Sequence, residues 1–66
     1  SPAMQARPSY SVCLTFTVGS RKRVNELTGQ LITEGYDVIY EPGFYGMEHY
    51  SSSVFDPEGN VIELVA

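Results

Sequence analysis

The most constraining feature of the sequence is a turn that leads directly into its last strand. Residues 56–60 read Asp-Pro-Glu-Gly-Asn. This predicts a tight turn because proline fixes φ at a first corner, while glycine and asparagine tolerate the positive φ of a later one. Residues 61–65 are β-forming, and strand side chains alternate between faces, so Glu63 is predicted to lie opposite Ile62 and Leu64. Glu63 is then either solvated on an exposed face or aimed into a cleft.

Length and charge limit the classes of function. The chain has 66 residues and a net charge of −4, which predicts one small domain, or part of one, and disfavours binding to nucleic acid. Its single cysteine, Cys13, cannot form an internal disulfide. Nothing resembles a signal peptide or a membrane span, so the default expectation is a cytoplasmic protein with no membrane partner.

The first strand is predicted by strict alternation. Residues 1–8 lack apolar periodicity and are interpreted as a linker, an arm or an expression remnant, which leaves 9–66 as the folded module. From Tyr10 to Val18 every second residue is apolar, which predicts a strand with one core face. The opposite face carries Cys13, Thr15 and Thr17, small polar groups suited to solvent or to a ligand cavity.

A helix is predicted from about Arg21 to Glu34. Ser20 is a natural N-cap, Gly35 suits the left-handed residue that ends many helices, and the apolar residues between them form one stripe. Three cations, residues 21–23, open the helix. They are interpreted as a solvated helix start in preference to an anion site.

Two more strands are predicted before the turn. Residues 36–41 alternate until Pro42 and Gly43 break the pattern, and residues 49–55 alternate again. Short connections favour a right-handed β-α-β crossover followed by a hairpin. The predicted fold is an α+β βαβββ module, a curved mixed sheet with one helix on its convex face. Leu14, Phe16, Ile62 and Leu64 are expected beneath that helix, against Leu27 and Leu31.

The order of these elements, together with the aspartate-proline-acid-glycine-asparagine turn and its apolar-glutamate-apolar strand, resembles one module of the vicinal oxygen chelate superfamily. That superfamily includes glyoxalases, bleomycin-resistance proteins and extradiol dioxygenases. The resemblance covers residues 9–66 and points to the C-terminal half of a two-module protein. It implies that two modules, from one chain or from a homodimer, enclose a small-molecule cavity around a divalent metal such as Zn, Ni, Mn or Fe.

In this resemblance each module offers one metal ligand on its first strand and one on its last. The last-strand position is Glu63, which is the candidate metal ligand and, without a metal, the candidate catalytic base. The first-strand position holds Cys13 where the family usually has histidine. A thiolate binds soft ions, but a free cysteine more often behaves as a small buried hydrophobe, which is the favoured interpretation.

Four further residues are candidates for contact with substrate: Thr15, Tyr45, His49 and Tyr50. Thr15 is expected on the uncovered face beside Glu63. His49 could serve acid-base chemistry, although an exposed histidine at a strand start is the more common role. Tyr45 and Tyr50 either line the cavity or pack at the edge of the sheet.

Three functions stay open at this stage. The first is a glyoxalase-like lyase or isomerase that moves a proton with the help of a metal or of Glu63. The second is a bleomycin-resistance-type protein that binds a small molecule without catalysis. The third is a structural dimerisation module. The first is preferred, although the cysteine at position 13 strengthens the other two.

Overall fold

The computed structural model describes residues 12–47 and 49–66. Its elements are β1 (Cys13–Thr17), α1 (Arg21–Thr33), β2 (Asp37–Tyr45), β3 (His49–Phe55) and β4 (Val61–Val65). The predicted linker at 1–8 and the predicted start of the first strand lie outside the described residues. The four described strands form one mixed, curved sheet, and the α+β βαβββ prediction is confirmed.

The strand order in the sheet is β1-β4-β3-β2. β1 runs parallel to β4, whereas β4 with β3 and β3 with β2 are antiparallel. The parallel pair requires a crossover, which α1 begins, and the antiparallel pairs are joined by short turns. Glu63 therefore lies on an interior strand, opposite Thr15 on β1 and Ser53 on β3.

Helix α1 begins and ends where its capping residues predict. The Ser20 hydroxyl accepts a hydrogen bond from the Arg23 amide at 3.1 Å, which satisfies one unpaired donor of the first turn. Glu34 is the C-cap, and Gly35 follows with a φ of 101°. The amide of Tyr36 then returns to the Leu31 carbonyl at 3.0 Å, so the chain leaves the helix in a defined direction. No helix in the described ranges is both long and apolar enough to span a membrane.

The core lies between α1 and the centre of the sheet. Val24 of the helix and Val54 of β3 are fully buried, and Leu64 of β4 is nearly so. Two hydroxyls share this interior: Thr28 donates to the Val24 carbonyl and lies 2.6 Å from the Ser52 hydroxyl. Since the Thr28 proton is already committed, Ser52 is the donor of that second bond, and both groups are satisfied.

The expected packing of the first strand under the helix is only partly correct. The backbone of helix α1 packs close to β2, β3 and β4 but stays farther from β1. Leu14 and Phe16 point to the predicted face but stay 46 % and 48 % exposed. The crossover places the helix over the middle of the sheet, and β1 is an edge of the described sheet.

The predicted break at Pro42 and Gly43 is wrong. β2 continues to Tyr45, with register shifts against β3 between Val38 and Tyr40 and again between Tyr40 and Gly43. Such bulges absorb a proline or glycine without ending a strand that lies at the edge of the described sheet. They also change which side chains point to which face.

Candidate functional site

The two faces of the sheet differ in what covers them. We call the side against α1 the helix face and the other side the Glu63 face. In the register, residues directly opposite one another share a face. The Glu63 face of the three strands β1, β3 and β4 carries Cys13, Thr15, Thr17, His49, Ser51, Ser53, Phe55, Val61, Glu63 and Val65.

Glu63 is held by hydrogen bonds to both of its carboxylate oxygens. Tyr40 donates its phenol proton to Oε2 at 2.9 Å, and Thr15 donates its hydroxyl proton to Oε1 at 3.4 Å. The carboxylate is half-buried. Each oxygen keeps a further acceptor position, so Glu63 is oriented by its neighbours and still open to another donor.

The orientation of Glu63 follows from its position between two residues of the helix face. Leu64, next to it, is 5 % exposed against the helix side, and the Asp56 turn fixes the start of β4. The Asp56 carboxylate accepts from the amides of Glu58 and Asn60, and Gly59 has a φ of 88°. Because a slip of one residue would exchange the faces, this turn keeps Glu63 outside the core.

Tyr40 is the functional candidate that the sequence pattern missed. Simple alternation places it with Tyr36 and Val38, on the helix face. In the structure Val38 pairs with Val54, whereas Tyr40 pairs with Ser53 on the Glu63 face. The bulge between them inserts Ile39 and reverses the direction of Tyr40. The sequence signal was Pro42-Gly43, which marks an irregular strand without showing where the shift occurs.

The Tyr40 phenol is electrostatically coupled to the site. Burial raises the pKa of this phenol above its ordinary value of 10.0, a hydrogen bond with Ser51 lowers it, and the bond and charge of Glu63 raise it again. The net direction is upward. Tyr40 therefore stays a neutral donor at physiological pH, facing a carboxylate acceptor.

Tyr45 supports Tyr40 from the side. Their rings meet edge to face with centroids 4.5 Å apart, and the Tyr45 hydroxyl donates to the Glu41 carbonyl at 2.6 Å. Gly43 lies under the Tyr45 ring, since a Cβ there would come within 3.3 Å of the Tyr45 oxygen. His49 pairs with Tyr45 at the end of the strands and is exposed.

Tyr50 is not brought to Glu63. It lies on the helix face, where its hydroxyl donates to the Asn25 side chain at 2.6 Å and its ring meets Phe44 at 5.1 Å. The Arg21 guanidinium lies 5.7 Å from the centre of the Phe44 ring. Tyr50 thus joins the start of the helix to β3, away from the other candidates.

Cys13 and Thr15 share the Glu63 face, as expected. Thr15 is directly opposite Glu63, and Cys13 lies one pair further along β1, opposite Val61. Cys13 is exposed, so its expected behaviour as a small buried hydrophobe is not observed within this chain. Its thiol is free to meet solvent or a second module.

The side chains of this module do not by themselves fit a complete metal site. Among residues 12–47 and 49–66 no three histidine, cysteine, aspartate or glutamate side chains converge. Glu63 is engaged by two hydroxyl donors instead. A structural or catalytic zinc takes three or four protein ligands, so the metal stays a prediction that needs ligands from a second module.

A groove of about 330 Å³ lies on the helix face, away from Glu63. Its lining is mainly apolar and comes from α1, β1 and β4: Phe16, Leu27, Gln30, Leu31, Glu34, Ile62 and Leu64. It is the gap left where the helix does not extend over β1. Because it lacks the convergent polar groups of a ligand site, the chemistry favours the Glu63 face.

Solved structures share this fold. A candidate glyoxalase from Bacillus halodurans matches with 30% identity and a TM-score of 0.74, covering 100% of this chain and 52% of its own. A glyoxalase/bleomycin resistance protein/dioxygenase family enzyme from Burkholderia phytofirmans PsJN matches with 26% identity and a TM-score of 0.79, covering 91% of this chain and 48% of its own. The chain has the fold of one βαβββ module of the glyoxalase/bleomycin resistance/dioxygenase family. The recognition made from the sequence is thereby confirmed.

A third match gives the fold alone. This glyoxalase-related enzyme from Fulvimarina pelagi has 24% identity and a TM-score of 0.79, with 96% of this chain and 45% of the other covered. No protein-family model and no curated protein matches the sequence. The βαβββ module spans about half the length of the solved structures it matches.

Proposed function

We propose that this module supplies one half of a small-molecule site, with Glu63 as its central polar group and a second βαβββ module as the other half. The observation that carries the proposal is a half-buried carboxylate on the sheet face that the helix leaves open, with both oxygens held by Thr15 and Tyr40. The glyoxalase-related neighbours, each about twice as long, support the pairing of modules.

The chemistry we propose is a glyoxalase-like proton transfer of the lyase or isomerase class. Glu63 accepts a proton from a hydroxyl-bearing carbon beside a carbonyl, and the electron pair of the broken C–H bond moves into the carbonyl, which gives an enediolate. The proton then returns to the former carbonyl carbon while the hydroxyl proton passes to the former carbonyl oxygen, so no oxidant is consumed. Fixed hydrogen bonds from Thr15 and Tyr40 orient the carboxylate toward the reacting atom.

Binding without catalysis is the second candidate. Two observations favour it: Cys13 occupies the first-strand position where the resemblance places histidine, and no group of three metal-binding side chains forms in the described part of the chain. A divalent metal belongs to this proposal only for an assembled pair of modules, in which the partner would supply the missing ligands.

One set of measurements separates these functions. The association state is measured by solution scattering, and the chain is then assayed with the hemithioacetal that glyoxalases isomerise and, separately, for binding of bleomycin. If Glu63 is the base, Glu63→Gln lowers turnover roughly a hundredfold or more, while Tyr50→Phe, on the helix face, leaves it unchanged.

The outcomes divide the candidates. Turnover that is insensitive to Glu63→Gln would contradict the proposed base. Binding of bleomycin without turnover would favour the second candidate. Loss of bound divalent metal in Glu63→Gln, measured by elemental analysis, would establish Glu63 as a ligand.

A further inference from the structure

The polar pair at the centre of the Glu63 face has a definite hydrogen-bonding character. Tyr40 presents a donor and Glu63 an acceptor, and the two atoms lie 2.9 Å apart. A group that enters between them must accept from the phenol and donate to the carboxylate. An alcohol does both with one oxygen atom, whereas a carboxylate or a phosphate dianion accepts only.

The charge of the Glu63 face also favours a neutral ligand. In the part of the chain that the structure describes, the lysine and arginine side chains belong to the first turn of α1, residues 21–23, on the opposite side of the sheet. Glu63 carries a negative charge, and Asp37, opposite Phe55, lies on its side of the sheet. An anionic ligand would therefore meet repulsion at Glu63 with no lysine or arginine of the described residues to offset it.

Several features of β2 hold Tyr40 in its position. Its ring reaches this face because of the bulge at Ile39, and it is flanked by the Tyr45 ring, which lies close against Gly43. A second bulge between Tyr40 and Gly43 returns the chain to register. Bulges often aim a side chain at a functional site.

We propose that the ligand group bound at Glu63 is an uncharged hydroxyl, which accepts from Tyr40 and donates to Glu63, and that Tyr40 is the residue that determines this specificity. This inference rests on the proposed function and narrows its class of ligand. Tyr40 replaces its bond to Glu63 with a bond to the ligand, so the pair stays satisfied in both states.

The experiment compares two probes with the same three-carbon skeleton. Propane-1,2-diol is neutral, whereas lactate keeps the hydroxyl and replaces the terminal alcohol with a carboxylate. Both are titrated into the 66-residue chain at mildly alkaline pH, where histidine is in general uncharged. Chemical shifts of the Tyr40 ring and the Glu63 side chain report binding by NMR, and helix-face amides report folding.

We expect the diol to shift the Tyr40 and Glu63 signals at concentrations where lactate does not. Tyr40→Phe removes one neutral hydrogen bond and should weaken diol binding roughly threefold to tenfold. Tyr50→Phe is the matched control, because its hydroxyl bonds Asn25 on the helix face. It should leave both the affinity and the preference unchanged.

Lactate that binds at Glu63 as tightly as the diol would overturn the inference while leaving the proposed site intact. Unchanged diol affinity in Tyr40→Phe, with helix-face amides unaltered, would also overturn it. If neither probe shifts any residue of the Glu63 face, both the class of ligand and the site proposed under the function are wrong.

Discussion

The two faces of the sheet carry similar polar groups in different surroundings. On the helix face the Thr28 and Ser52 hydroxyls are nearly completely buried and bond to each other and to the Val24 carbonyl. On the Glu63 face Thr15 and Tyr40 bond to a carboxylate that stays half-exposed. The first arrangement is closed to solvent, and the second keeps acceptor positions free.

This difference shows how a small domain separates stability from function. Burial of Val24, Val54 and Leu64 provides the apolar core, and the Thr28 and Ser52 hydroxyls enter it as a satisfied pair. A carboxylate buried in that core without a partner would lose more hydration free energy than its contacts there could return. The face that the helix leaves open tolerates Glu63, and it is therefore where we place the proposed chemistry.

The largest expected effect comes from making the helix face resemble the other face. Val24→Asp places a carboxylate with no partner in the fully buried position of α1, at a cost on the order of 4 kcal/mol or more. A chain of this size has roughly 3 to 10 kcal/mol in total, so we expect unfolding. Circular dichroism and urea denaturation measure it. Val61→Asp, half-buried on the Glu63 face, is the control, and an equal loss there would contradict the contrast.

A smaller loss of stability is expected when the buried Thr28–Ser52 hydroxyl pair is broken. Thr28→Val leaves the Ser52 hydroxyl buried without its partner, which should cost about 1 to 3 kcal/mol of unfolding free energy. The double variant Thr28→Val/Ser52→Ala should recover part of that loss, because no polar group is left unsatisfied. Urea midpoints of the four proteins form a double-mutant cycle. Simple additivity would show that the two hydroxyls do not act as a pair.

The stability contributed by the turn that keeps the two faces in register should depend on pH. Slight burial raises the pKa of the Asp56 carboxyl, but bonds from Asn60, Glu58 and Gly59 lower it more, so the net pKa lies below its ordinary 3.8. A lowered pKa in the folded state contributes stability above 3.8 that is lost as the pH falls through the folded value.

Asp56→Asn keeps an acceptor oxygen and removes this titration. Urea midpoints measured from neutral to acidic pH should therefore fall less steeply in Asp56→Asn than in the unaltered chain. Parallel curves would mean that the turn carboxylate contributes nothing to the acid response.

The smallest effect concerns the polar pair of the Glu63 face. Glu63→Gln removes a negative charge and a carboxylate acceptor that raise the pKa of the Tyr40 phenol, although burial, the largest cause, remains. The phenol should titrate at lower pH, closer to its ordinary 10.0. Alkaline difference absorbance measures this, with Tyr40→Phe to identify the signal.

The stability that this raised pKa contributes is present below 10.0 and is lost as the pH rises through the folded value. The alkaline loss should be smaller in Glu63→Gln, because the folded-state pKa of Tyr40 then lies closer to 10.0. An unchanged tyrosine titration in that variant would contradict the proposed electrostatic coupling between Tyr40 and Glu63.

Much of the fold could be predicted because its signals are local. The cap at Ser20, the helix stop at Gly35 and the turn at 56–60 each act within a few residues, and alternation assigned the faces of β1, β3 and β4 correctly. Alternation failed in β2, where a bulge adds a residue before Tyr40 and reverses its face, until a second bulge before Gly43 restores the original alternation. The expectation that the helix covers Phe16 was also wrong, because the path of the helix over the sheet is not a local property.

The sequence by itself determined the order of the elements, the turn before β4 and the exclusion of Glu63 from the helix face, since these depend on φ preferences and on the period of a strand. Only the tertiary structure decided that Tyr40 joins Glu63, that Tyr50 leaves it for Asn25, and that β1 is left uncovered. Those outcomes depend on the register between strands and on where the helix packs, and both are fixed by contacts between residues far apart in the chain.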